Sequence, residues 1–223
     1  MLEPIADDVW TRARSLRFFG VETGTKMTIV RLRSGVLFVH SPIALDDSLR
    51  GEIAELGPVT AIVAPTRFHH LYVGEWVAAY PDASVSACPG LGQKRADIAW
   101  TSVLGDEPEA GWRDELDQVF FGARAMENEV VFFHRKSKTL ISSDLMFNLA
   151  THPSPLTRAV AFLVGQRAPG PTLLEHLTIR DRVAAREQIA RMVAWNAERI
   201  VLAHGEDVEK KGAEALRRAY AWL

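Results

Sequence analysis

The sequence has little cysteine: Cys88 is the single instance in 223 residues. One cysteine makes no intrachain disulfide and no CxxC metal knuckle, so a disulfide scaffold and a zinc ribbon are both excluded. A small buried thiol is the expectation for it. Long hydrophobic runs are missing too. The longest, Ala159 to Val164, has six residues, far short of the ~18 that span a bilayer. The first residues, MLEPIADD, hold no basic stretch followed by an apolar one, so no secretory signal is legible and a cytoplasmic location is expected. Neither sign of charge dominates: 26 Lys and Arg stand against 28 Asp and Glu, a net charge of −2. With no basic excess to neutralise phosphates and no apolar span, neither nucleic acid nor a membrane is an expected partner. No GxGxxG follows a strand, and neither GxxxxGK[ST] nor GxSxG occurs. Those absences exclude the common nucleotide loops and the serine elbow of α/β-hydrolases.

What is present is an ordinary globular mixture, 48% hydrophobic and 24% charged, in a length that fits one domain over residues 1–223. Residues 27–32 (MTIVRL) and 36–41 (VLFVHS) are β-branched runs around Arg33-Ser34-Gly35 and predict a hairpin. Asp46 or Asp47 is placed to cap a helix carrying Leu49, Ile53 and Leu56, which Gly57-Pro58 stops. Residues 59–64 (VTAIVA) predict a buried strand, 72–80 a helix with Trp76 inward, and 84–87 a short strand. Three strand-like runs follow at 117–122, 129–134 and 138–143. Residues 145–180, with Pro153, Pro155, Pro169 and Pro171, predict an irregular lid or active-site wall. A helix over 181–197, a strand over 199–203 and a helix over 208–223 close the chain. Strands, then alternating α and β, then strands again fit a two-sheet sandwich flanked by helices better than an evenly alternating doubly wound sheet.

The chemistry-bearing residues gather at predicted strand ends. His69 and His70 follow VTAIVA, Asp144 follows TLISS, and His204 follows RIVLA. Side chains at the ends of several strands converge on one rim of a sheet, and imidazole with carboxylate is the usual ligand set for zinc, iron or manganese. Adjacent residues on an extended chain point opposite ways, so His69 and His70 face one ion only if the loop turns. His40 and His176 read as packing residues, and His134 as lying at the far end of its strand from Asp144. His152 reads as exposed, and the six scattered tryptophans as core and lining.

The segments MTIVRLRSGVLFVHSPIAL, GPVTAIVAPTRFHHLYVGEW, KTLISSDLMFNL and VLAHGE, in this order over residues 7–223, resemble the metallo-β-lactamase superfamily, in its divergent DUF4336-like branch. The resemblance implies an αββα four-layer sandwich. It also implies a loss of ligands. Where the superfamily carries HxHxDH, this chain has Pro65-Thr66-Arg67-Phe68-His69-His70. His69 and His70 match the Asp and final His in one register; in another, shifted by one, only His70 matches, on the Asp position. The superfamily's GHTPG-like segment corresponds to Gly122-Ala123-Arg124-Ala125-Met126, which has no histidine. Asp144 matches the bridging Asp and His204 the last His. One whole ligand set is thus missing, and the other reads His69, His70, Asp144 and His204. The resemblance implies a metal-dependent hydrolase with a reduced, mononuclear site, holding one divalent ion, zinc or iron. An iron-using oxidoreductase stays open on the same ligand set. Asp144 and Arg67 are the expected catalytic residues, with the Arg67 guanidinium in place of the missing ion's charge against an anionic substrate group. The competing reading is a metal-free, non-catalytic ligand-binding or interaction protein on the same fold. The expected partner is a small-molecule substrate or ligand of open identity, and a homodimer stays open.

Overall fold

The computed structural model describes residues 1–123 and 128–223, with the side chain of Leu174 left aside. Arg124, Ala125 and Met126 of the segment compared above lie outside the described residues. The elements run β1 (Glu3–Ala6), β2 (Val9–Arg14), β3 (Arg17–Phe18), β4 (Val21–Glu22), β5 (Thr25–Arg31), β6 (Leu37–His40), α1 (Asp47–Leu56), β7 (Val59–Ala64), α2 (Val73–Ala79), β8 (Ser84–Ala87), α3 (Leu91–Lys94) and β9 (Ser102–Val103). After these come β10 (Leu116–Phe121), β11 (Glu129–His134), β12 (Thr139–Ser142), α4 (Pro155–Leu163), α5 (Leu173–Thr178), α6 (Arg182–Ala194), β13 (Arg199–Leu202) and α7 (Gly212–Ala219).

Among the described residues the strands form a seven-stranded sheet, ordered β1-β2-β5-β6-β7-β8-β9, a four-stranded sheet, β10-β11-β12-β13, and the small β3-β4 hairpin. Side chains alternate across each strand, so one strand feeds two cores. In β6, Leu37 and Val39 join a cluster with Leu49 and Ile53 of α1 and Trp76 of α2, while Phe38 faces the second sheet. In β11, Val131 and Phe133 meet Ile189 and Met192 of α6 and Leu216 of α7, while Val130 and Phe132 pack against Phe38 and Val63 of the first sheet. The layers are therefore helix, sheet, sheet, helix. Strands covered on both faces read as unbroken apolar runs, which is why VTAIVA and LFVH carry no polar alternation.

The expected α1 is capped by Asp46, whose side chain accepts from the Leu49 N–H at 2.7 Å. The expectation of an irregular 145–180 is corrected: α4 and α5 lie within it. Proline misled the reading, because Pro155 sits in the first turn of α4, where it has no hydrogen bond to lose, and Ser154 caps the helix through the Thr157 N–H. The last helix begins at Gly212 rather than at 208, after the 206–211 charge run.

Candidate metal centre

Two parallel strand pairs set the site. β6 runs parallel to β7 and β12 parallel to β13, so their C-terminal ends point the same way. The ends are tied together across the two sheets: the Val130 N–H donates to Pro65 O at 3.0 Å, and Thr66 bridges Glu129. At β7 the chain turns at Thr66, whose hydroxyl accepts from the N–H groups of Phe68 and His69, each at 3.1 Å. That turn sends His69 into the rim.

His69, Asp144 and His204 meet there, all buried. His69 Nε2 lies 3.1 Å from His204 Nε2, and Asp144 Oδ1 lies 3.3 Å from the first and 3.4 Å from the second. The other ring nitrogens are held from behind. His204 Nδ1 donates to Gly24 O at 2.8 Å, which leaves the lone pair on Nε2 in the neutral ring. His69 Nδ1 is hydrogen-bonded to Ser41 Oγ. Ser41 follows β6 with φ 56°, a left-handed conformation that turns the chain as it leaves the strand. Phe147 stacks on the His204 ring, centroids 5.4 Å apart.

Asp144 is placed by a residue the sequence reading passed over. The buried Glu129 carboxylate accepts from the Ser143 N–H at 2.6 Å and the Asp144 N–H at 2.9 Å. A clue was available in an acidic residue opening an otherwise apolar strand, EVVFFH. His204 is fixed by a close backbone crossing. The Asn148 N–H donates to His204 O at 3.1 Å, and Gly205 has φ +85° with Asn148 O where a Cβ would be.

The electrostatics follow from burial and pairing. Burial opposes the charged form of Asp144, yet the charge of His69 and the hydrogen bonds from both rings outweigh it and hold the carboxyl well below its ordinary value. Burial likewise opposes charge on His204, but Asp144 outweighs it and raises that ring. Neighbouring His40 is driven down to about 3, by burial and then by His69, and packs edge-on to Phe132 at 5.6 Å. Cys88 is buried, and burial pushes its thiol up to about 12, which disfavours the thiolate.

The expected set is only partly assembled. His70 is not brought to the other three, which corrects the four-ligand expectation. Its Nδ1 instead accepts from Arg95 Nη1 at 3.1 Å. Burial, then Lys94 and Arg95, lower His70 to about 4. Arg67 forms no hydrogen bond or ion pair with the trio among the described residues; its side chain lies against Gly90, with Nε buried and unpartnered. His134 binds Ser137 at the opposite end of β11, His176 stacks on Trp222, and His152 is half-buried.

The three donors suit one ion. Ligands at ~2.0–2.1 Å on a tetrahedral metal stand about 3.3–3.4 Å apart, close to the 3.1, 3.3 and 3.4 Å seen here. An ion held by these three protein ligands would keep room for water or a substrate atom.

Solved structures of the same architecture are numerous. The DIM-1 metallo-β-lactamase exposed to ceftazidime aligns with TM-score 0.69 at 14% identity, over 100% of this chain and 96% of that one. The FIM-1 metallo-β-lactamase from Pseudomonas aeruginosa, in its mono-zinc form, gives 0.64 at 14%, over 100% and 95%. The metal-soaked Flv1 flavodiiron core from Synechocystis sp. PCC6803 gives 0.66 at 13%, over 100% of this chain and 60% of that one. Identities this low establish the metallo-β-lactamase fold and nothing finer. No curated protein matches in sequence. A family model described as a domain of unknown function, DUF4336, matches residues 6–178, and the chain belongs to that family.

Proposed function

We propose that this protein is a metal-dependent hydrolase with a mononuclear site, one divalent ion held by His69 Nε2, Asp144 and His204 Nε2. The observation that carries the reading is the convergence of donors: His69 Nε2, His204 Nε2 and Asp144 Oδ1 lie within 3.1–3.4 Å of one another, with His204 Nδ1 committed to Gly24 O behind them. Three electron-rich atoms so close repel unless a cation or a proton sits among them. A divalent ion in such a set acidifies water and polarises a substrate oxygen. The chain's own groups do the rest. Glu129 fixes the backbone that carries Asp144, Ser41 orients His69, and Phe147 covers one face of His204 against water. Asp144 keeps a proton acceptor at the centre. Arg67 is proposed to contact an anionic substrate group; Arg67→Ala then raises KM for an anionic substrate while metal content is unchanged.

Elemental mass spectrometry on untagged protein tests the site. About one ion per chain is expected, lost in Asp144→Ala and His204→Ala and retained in His70→Ala. Absence of zinc, iron and manganese after incubation with each, in folded wild-type protein, overturns the reading. A second reading rests on the same contacts: a proton shared between Asp144 and His204 also satisfies the cluster, as in a metal-free ligand-binding protein. Unchanged composition with and without added metal favours it.

A further inference from the structure

Helix α4 is inside out. Its buried side carries Thr157 and Ala161, while Leu156, Phe162 and Leu163 face solvent, Leu163 being 76% exposed. The next helix repeats the inversion: α5 buries Glu175 and exposes Leu173 and Leu177, the latter 83%. The two helices adjoin, because the Leu173 N–H donates to Val164 O at 2.9 Å and the Leu173 side chain covers Gly165. The β3–β4 hairpin packs beneath the buried side of α4. Thr157 Oγ1 donates to Glu22 O at 2.8 Å, and the hairpin turn lifts Phe19 to 92% exposure. Leaving this much aliphatic and aromatic surface in water forfeits burial.

The charge around these side chains is one-sided. Between Thr151 and Arg180 the sequence holds Arg158, Arg167 and Arg180, and the only acid is the buried Glu175. None of the three arginines forms an ion pair among the described residues; Arg158 donates to the carbonyls of His152 and Pro153, and Arg167 lies over Phe162 at 4.7 Å. A second copy docked face to face would set these arginines against each other. A peptide helix would need a groove, whereas these side chains project from two separate helices. A bilayer surface accepts projecting apolar groups without shape complementarity, and anionic headgroups supply the missing counter-charge.

We propose that the α4–α5 face docks on an anionic lipid surface. The inference stands apart from the metal reading and needs no activity to be tested. The purified protein is floated with vesicles of phosphatidylcholine alone and of equal parts phosphatidylcholine and phosphatidylglycerol. Binding to the second and not the first is expected, weakened by salt. Arg158→Gln and Arg167→Gln should each lower partition about five-fold. The double variant Leu163→Ser, Leu177→Ser should lower it at least about ten-fold. All four positions are exposed, so circular dichroism and Tm should stay at wild-type values. No flotation with anionic vesicles, or flotation that both sets of variants retain, overturns the proposal. So does a dimer in solution that the leucine variant dissociates without any vesicle binding, or capture by polyglutamate but not by vesicles.

Discussion

Replacing Glu129 by glutamine changes a few atoms and removes one charge, yet it should disturb both stability and the site. The wild-type carboxylate receives two buried backbone N–H groups, from Ser143 and Asp144, at 2.6 and 2.9 Å. A hydrogen bond to a charged acceptor contributes about 1.5–3 kcal/mol. Glutamine keeps one acceptor oxygen and turns an NH2 toward the second N–H. One charge-assisted bond is lost, the other is weakened, and one buried donor is orphaned, which together cost about 3–4 kcal/mol. Set against a total stability of about 5–15 kcal/mol, that lowers Tm by about 10 °C in a chain of this size. Because the same two N–H groups aim Asp144, zinc affinity should fall about 10- to 100-fold, the usual cost of losing a supporting contact. Thermal melting with and without zinc, followed by calorimetric titration of the folded variant, reads both quantities. A Tm within about 2 °C of wild type would refute the argument that this carboxylate anchors the Asp144 loop.

Two further outcomes rest on backbone and charge. Gly205→Ala should destabilise by about 3 kcal/mol or more, from a left-handed φ of +85° and a Cβ driven into Asn148 O. It should also release any metal held by His204; an unchanged melt and metal content would deny the close crossing. Asp8 is held below its ordinary value by the Lys136 hydrogen bond first and by Arg31 next. Its stabilisation is therefore present above the unfolded pKa of about 4 and is lost as pH falls through the lower folded value. Asp8→Asn keeps a side chain suited to the φ of 60° and should cost about 1 kcal/mol at pH 7. The gap to wild type in urea unfolding should close on acidification; a gap independent of pH would assign the cost to packing.

Sequence alone determined much of the framework. β-Branched runs between turn residues gave the β5–β6 hairpin, β7 and the β10–β12 meander, since strands covered on both faces carry continuous apolar pattern. Asp46 before Leu49 gave the start of α1, because a cap is a contact over three residues. The early strands β1 and β2 escaped, VWTRAR being mixed in polarity, and α4 was hidden by prolines that break helices everywhere except in their first turn. The ordered segments that carry the family resemblance were legible as well, and with them His69, Asp144 and His204 as candidates.

Which candidates meet was decided by tertiary structure. His69 and His204 stand 135 positions apart in the chain and 3.1 Å apart in space, a contact that no local pattern encodes. His69 and His70 are chemically identical neighbours, yet in the fold one meets Asp144 and the other Arg95. Glu129 acquires its role solely because β11 runs beside the end of β12, which brings its carboxylate under two backbone N–H groups fourteen and fifteen residues away. Composition and periodicity act over a few residues and fix what each segment becomes; pairing of distant strand ends fixes which donors converge on one point.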